Sequence, residues 1–246
     1  MDELTPRQAH ILKTLIEEYI DSAEAVGSET LEKKHNLGVS PATIRNEMSQ
    51  LTKIGYLKQP HASAGRIPTA RALRFYIGQL MEERQLPVTE EAKARQTVED
   101  ANQNVDHLMR EATHSLAEAT KSLSVGTVEG EDTVWSAGYS KILDVPEFYN
   151  IDVTAHVLSL VEEVKRVREL FFERSVEDPV SILFGEELGW PYWEPVGIIT
   201  AKFVLGGPDG RVGCIGIIGP ARLPYSHVIP IVRYYGGLLA DVTKGV

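Results

Sequence analysis

From Ser40 to Thr69 the chain reads SPATIRNEMSQLTKIGYLKQPHASAGRIPT, and few folds accommodate that order of signals. Ser40 is a favourable N-cap, and Pro41 takes the first helical position, where a missing N–H costs nothing. Ile44, Met48 and Leu51 recur at helical spacing and define one apolar face. At about 100° per residue, Ala42, Asn46, Ser49 and Lys53 fall opposite, flanked by Arg45 and Gln50. Gly55 is placed to end the helix. Tyr56 to Gln59 has strand character, Pro60 and the Ala-Ser-Ala-Gly run form a tight tip, and Arg66-Ile67 leads back out. A helix with a small polar outer face, followed by a two-stranded wing, predicts a module that reads duplex DNA.

An ordinary amphipathic helix and hairpin would satisfy the same periodicity, and charge separates the two readings. The chain is formally −10, yet Ser28 to Arg74 holds eight basic residues (Lys33, Lys34, Arg45, Lys53, Lys58, Arg66, Arg71, Arg74) against three acidic ones. A basic surface on an acidic body suits selective DNA binding better than general adhesion to polyanions.

The residues upstream complete the module. Thr5-Pro6 opens a helix with Leu12, Leu15, Ile16, Tyr19 and Ile20 on one stripe, ending near Ser22. Ser28 is read as the cap of a short helix with Leu31 inward and Lys33, Lys34 and His35 available to phosphates. Asn36-Leu37-Gly38 turns the chain into the recognition helix, giving a winged helix-turn-helix.

After the wing, Thr69 is the expected N-cap of a helix through Arg84. A short linker, Leu86 to Thr89, follows. From 90 to 124 no Gly or Pro interrupts the pattern, and Val98, Ala101, Val105, Leu108 and Ala112 fit a heptad that resumes after a stutter. This predicts one long helix, packed either on its own domain or on a partner helix in a homodimer. His107, Glu111 and His114 share a face that suits metal ligands, but the charges around them read as a solvated surface. Gly126 to Asp132 is an expected loop, 153–174 one helix, Val180 to Phe184 a buried strand. Val196 to Leu205 and Arg211 to Ile218 are strands joined by a glycine-rich turn, and a helix spans Tyr225 to Val242. Trp190, Tyr192 and Trp193 are placed to line a pocket, cap a sheet or form an interface. Cys214 lies in an apolar strand and is read as a buried thiol; a single cysteine excludes a disulfide framework. With 43% hydrophobic and 24% charged residues the chain is an ordinary folded protein. Acidic Met1-Asp2-Glu3 with no apolar run behind it predicts no secretory leader and a reducing cytoplasm.

The strings AVGSETL (25–31), SPATIRNEM (40–48), QPHASAGRIPT (59–69), RFY (74–76), GIITAKFVLGG (197–207) and GCIGIIGPARLPYSHVIPIV (213–232) resemble the HrcA heat-inducible transcription repressors of bacteria. A weaker echo is YSKILDVPEF (139–148). The resemblance implies a winged-helix domain and a GAF-like α/β domain carrying an inserted dimerisation domain. It also implies dimeric binding to an inverted repeat upstream of chaperone operons, and maintenance by the chaperonin GroEL. Here the chain runs almost directly from Ser124 to Trp135, so the early GAF strands and most of the insert are expected to be missing.

The expected fold class is therefore α+β: a winged helix-turn-helix over 1–84, a linker and long helix over 85–125 as a dimerisation element, and an abridged GAF-like α/β domain over 126–246. Ser40, Thr43, Arg45 and Asn46 are expected in the major groove, with Asn46 on adenine and Arg45 on either guanine or phosphate. Lys33, Lys34, Lys58, His61, Ser63, Arg66 and Arg71 are expected on backbone or in the minor groove. The alternative is a ligand-gated winged-helix regulator of another regulon. No nucleophile elbow, P-loop or HExxH string is present, so no enzyme and no cofactor is expected.

Overall fold

A computed structural model describes residues 4–174, 179–206 and 210–243. The chain divides into two compact units, Met1–Glu82 and Glu83–Val246.

The first unit begins with α1 (Pro6–Ser22), whose capping box joins Thr5 and Gln8 reciprocally. Ala23 turns the chain in a left-handed conformation. In α2 (Ser28–His35) the N-cap is Gly27, and Ser28 is already the first helical residue, so the expected Ser28 cap is one position off. Asn36 ends α2 left-handed, and α3 (Pro41–Lys53) starts on Ser40, whose hydroxyl accepts from the Thr43 N–H at 3.2 Å. Leu12, Leu15, Ile16, Leu31, Ile44 and Leu51 are fully buried between these helices. Each contributes roughly 1.5–3 kcal/mol relative to exposure.

The wing pairs β1 (Leu57–Lys58) with β2 (Ile67–Pro68), and a bridge from Val26 to Arg66 adds a third antiparallel segment. Gly65 is needed there, because a Cβ would lie 2.4 Å from the Val26 carbonyl oxygen. Thr69 caps α4 (Ala70–Phe75) as expected, but the helix widens into a π-turn over Tyr76–Leu80. It stops at Met81, which is extended, rather than at Arg84.

In the second unit the expected long helix is two helices, α5 (Val88–Asp100) and α6 (Val105–Thr120). Asn104 caps α6 by accepting from the His107 N–H at 2.9 Å, and the Asn102 side chain donates to Val242 O at 3.1 Å. The break lets the two helices pack on each other and on α11 (Tyr225–Thr243). Inside α11, Pro230 lacks the N–H that would reach Ser226 O; the Arg84 N–H fills that carbonyl at 2.8 Å.

Of the expected loop Gly126 to Asp132, the first three residues belong to β3 (Leu123–Val128), and the rest lie in the turn onto β4 (Val134–Ala137). With β5 (Val180–Phe184), β6 (Val196–Val204) and β7 (Val212–Pro220) they form an antiparallel sheet in the order β4-β3-β7-β6-β5. Two strands, β3 and β4, thus lie in the short stretch between Leu123 and Ala137. β3 is legible only through its two partners, since burial on both faces removes the alternating pattern.

With α5 packed on both of them, helices α6 and α11 cover one face of the sheet. On it, Gly126 receives the Met109 side chain and Gly236 of α11 lies against Ala201. The other face packs Leu123, Val125, Ile198, Cys214 and Ile218 against α7 (Tyr139–Ile142), a 3₁₀ turn at Pro146–Tyr149, α8 (Ile151–Glu162) and α9 (Val164–Arg168). The expected single helix over 153–174 is broken at Glu163, whose backbone is extended, and ends in a π-turn, Glu169–Glu173. Short helix α10 (Gly185–Leu188) follows β5. The β6 and β7 strands pair as expected, while the tip of their turn, 207–209, and Met1-Asp2-Glu3 lie outside the described residues.

Candidate nucleic-acid interface

α3 presents the face its periodicity predicts. Ile44, Met48 and Leu51 are buried, while Ala42, Arg45, Asn46 and Lys53 are exposed. The side chains of Arg45 and Asn46 make no hydrogen bond or ion pair with other described residues, so their polar groups point to solvent uncommitted. Ser40 Oγ and Thr43 Oγ1 lie 3.0 Å apart. One of the two hydroxyl hydrogens is used between them, and the other is left for an outside acceptor.

Sequence reasoning missed Glu47. It sits on α3 one residue after Asn46 but is 6% exposed, held by Arg7 Nε at 2.7 Å and Gln8 Nε2 at 3.1 Å. Gln8 also donates to Gln50 Oε1 at 3.0 Å. These bonds fix the rotation of α3 against α1. The only trace in the sequence was a carboxylate on an otherwise basic helix.

The wing is fastened from inside. Gln59 Nε2 donates to the carbonyls of Ala62 and Ala64, both at 2.9 Å, and His61 Nδ1 lies 3.2 Å from Ser63 Oγ. His61, Ala62 and Ser63 form the exposed tip. A cleft of about 350 Å³ opens between this tip, the start of α2 and α3, with Ser28, Arg45 and Arg66 on its walls.

The expected backbone-contacting cations divide into two groups. Lys33 is exposed and makes no ion pair among the described residues. Lys58 is half-buried in β1. Lys34 pairs with Glu18 at 2.5 Å, and His35 Nε2 sits on the other Glu18 oxygen at 3.0 Å. The hydrogen bond from Lys34 holds the Glu18 carboxyl below its ordinary value, against the opposing effect of burial. Arg66 donates from Nε to Thr52 Oγ1 at 3.1 Å, bracing the wing against the end of α3. Arg71 donates to Ile54 O at 2.7 Å and lies 4.5 Å above the Tyr56 ring, closing the C-terminus of α3. Lys34, Arg66 and Arg71 therefore carry structural bonds besides any contact to DNA.

Elsewhere, His107, Glu111 and His114 form no potential metal cluster among the described residues. Asp106, beside them, accepts from Trp135 Nε1 and from Arg110, both at 2.9 Å. The three aromatics near 190 part company. Trp193 is buried in the core with Trp190 edge-on at 5.2 Å, while Tyr192 is exposed against His156. Burial pushes the Cys214 thiol up to about 12.

Helix, helix, turn, recognition helix and three-segment wing define a winged helix-turn-helix DNA-binding protein. Residues 3–80 match the family model "Winged helix-turn-helix transcription repressor, HrcA DNA-binding", and residues 69–229 match "HrcA protein C terminal domain". The chain belongs to the HrcA family, which is one of transcription repressors and not of enzymes. It is 25% identical over 335 aligned positions to the heat-inducible transcription repressor HrcA of Carboxydothermus hydrogenoformans, covering 96% of this chain and 97% of the relative. Against the same-named protein of Acetivibrio thermocellus identity reaches 53% over 87 residues, 35% of this chain and 25% of that one. A crystal structure of a hypothetical protein at 2.2 Å resolution shares the fold, with a TM-score of 0.76 at 18% identity over 99% of both chains. The 335 positions aligned to the first relative exceed this chain's 246 residues by 89, so the relative carries at least that many residues without a counterpart here. Among the described residues no helix is long and apolar enough to cross a membrane.

Proposed function

We propose that the protein is a repressor of heat-shock (chaperone) genes that binds an inverted-repeat operator as a homodimer and depends on a GroEL-type chaperonin for its active state. The observation that carries the DNA reading is the pair Arg45 and Asn46, adjacent, exposed and uncommitted on a helix whose other face is locked by Glu47. Asn46 matches adenine and Arg45 matches guanine or phosphate, each base contact supplying about 1–3 kcal/mol of discrimination. Ser40 and Thr43 sit at the N-terminus of the same helix, the end that enters a major groove. Lys33, Lys58, His61 and Ser63 hold the backbone on either side. Lys34, Arg66 and Arg71 add charge while bracing the module.

Titration of a duplex carrying the family's inverted repeat, with a scrambled duplex alongside, tests this. The wild type prefers the repeat by about 10³ or more. Asn46→Ala and Arg45→Ala reduce that preference while leaving scrambled binding in place; equal preference in both variants rejects the assignment. Lys33→Ala weakens both duplexes alike and lowers the salt slope by about one.

A further inference from the structure

Several chain connections meet at one end of the five-stranded sheet. Ser124 pairs with Ala137, Leu123 with Ile218, and Val196 with Pro220. The start of β3, the end of β4, the end of β7 and the start of β6 therefore lie side by side, and the segments 138–151, 189–195 and 221–224 gather over them. These segments carry Tyr139, Leu143, Tyr149, Ile151 and Tyr192, exposed to 46%, 56%, 70%, 73% and 50%. They are five of the seven large hydrophobic residues exposed among the described residues.

The platform beneath them is rigid. Arg222 forks onto Glu147, Nε to Oε1 at 2.6 Å and Nη2 to Oε2 at 3.1 Å, which ties the 3₁₀ turn to the β7–α11 connection. Thr154 Oγ1 donates to Phe148 O at 2.6 Å, and Ile142, Phe148 and Val153 are buried below. Tyr192 has φ +65°, a left-handed conformation that costs a non-glycine residue roughly 1–2 kcal/mol, and its ring rests on His156 with centroids 4.9 Å apart.

We propose that this aromatic end of the sheet is the self-association surface of the protein, occupied by the same face of a second copy across a two-fold axis. Taking ~150–250 Å² for each aromatic side chain and about the lower figure for Leu143 and Ile151, the five residues expose roughly 450–600 Å². That is the upper half of the ~300–600 Å² range for the largest apolar patch of a monomer, a size that is often functional. Doubled across a dyad and joined by its polar rim, it reaches the ~1,200 Å² of a specific interface. Tyrosines with flanking aliphatics are the composition of interface cores. An isologous contact needs no second, complementary surface, because the patch meets itself. The inference rests on the proposed repressor function, since a two-fold operator is read by two recognition helices. It identifies how they are joined in a chain that lacks at least 89 positions of its relative.

Sedimentation velocity on the full chain, over roughly 1–100 µM protein, tests it. The wild type is expected to dimerise within this range. Tyr149→Glu and Ile151→Arg each raise the dimer Kd by at least 100-fold, while Val88→Arg, on an exposed residue elsewhere, leaves it unchanged. Unaltered far-UV circular dichroism and a single cooperative melting transition confirm that the variants fold, a lower Tm being expected from the lost association alone. A monomeric wild type, or dimers of wild-type strength in both patch variants, overturns the proposal. A single half-site duplex separates the two readings. Monomeric variants that bind a half-site as the wild type does, but lose the two-half-site complex, support both. If the patch variants become monomeric and the wild type prefers no repeat, the surface stands and the operator assignment falls.

Discussion

Arg45, Asn46 and Glu47 are consecutive, yet the first two face solvent and the third is nearly sealed against α1. Removing Glu47 takes the carboxylate from the Arg7 guanidinium, which water can then reach, and leaves the Gln8 amide only Gln50 Oε1, so Glu47→Ala is expected to destabilise the fold by about 1 kcal/mol. Chemical denaturation of the full chain measures it; a change within error would mean the pair is not formed. Glu18 makes a pH-dependent prediction. Its folded-state carboxyl lies below the ordinary value, because the hydrogen bond from Lys34 and the weaker one from His35 together outweigh burial, which raises it. Its stabilisation is therefore complete above the unfolded carboxylate range and lost as pH falls through the folded value. Lys34→Met is expected to lower Tm at pH 7 and to have a smaller effect near pH 3. An equal drop at both would show that packing, not the ion pair, is at stake.

At the scale of elements, the wing depends on one close approach. In Gly65→Ala the new methyl meets the Val26 carbonyl oxygen at 2.4 Å, so the third segment of the wing must part. DNA affinity is expected to fall while α3 stays folded, and hydrogen exchange at the Val26 and Arg66 amides should rise with it. The α5–α6 break has a different origin. Asn102-Gln103-Asn104 interrupts a heptad without Gly or Pro, and the side chain of Asn104 supplies the cap. Asn104→Ala is expected to cost about 1 kcal/mol, read by thermal melting. A neutral result would mean that packing of α5 against α6 and α11 alone sets the turn. The same packing explains why an uninterrupted apolar repeat was misleading, since each half of it faces its own neighbour.

For the whole molecule, Cys214 reports on global opening. Its thiol is fully buried with its pKa pushed to about 12, so alkylation of the native protein is expected to proceed only at the rate of unfolding. Rapid labelling at neutral pH would reveal local opening of β7. The recognition helix, its caps, the wing and the inward residues were all legible in the sequence. Helical period, N-cap chemistry and the left-handed Gly55 act within a few residues of one another. The strands at 180–184, 196–204 and 212–220 were legible as apolar runs. What only the tertiary structure decided was long-range. It placed β3 in the sheet because β4 and β7 flank it, and it split one apparent helix into two that fold back on each other. It also committed Lys34, Arg66 and Arg71 to Glu18, Thr52 and Ile54, partners 14 to 17 residues away. Charge counted along the chain could not show that commitment, because whether a cation is free for phosphate depends on which carboxylate or carbonyl the fold brings beside it.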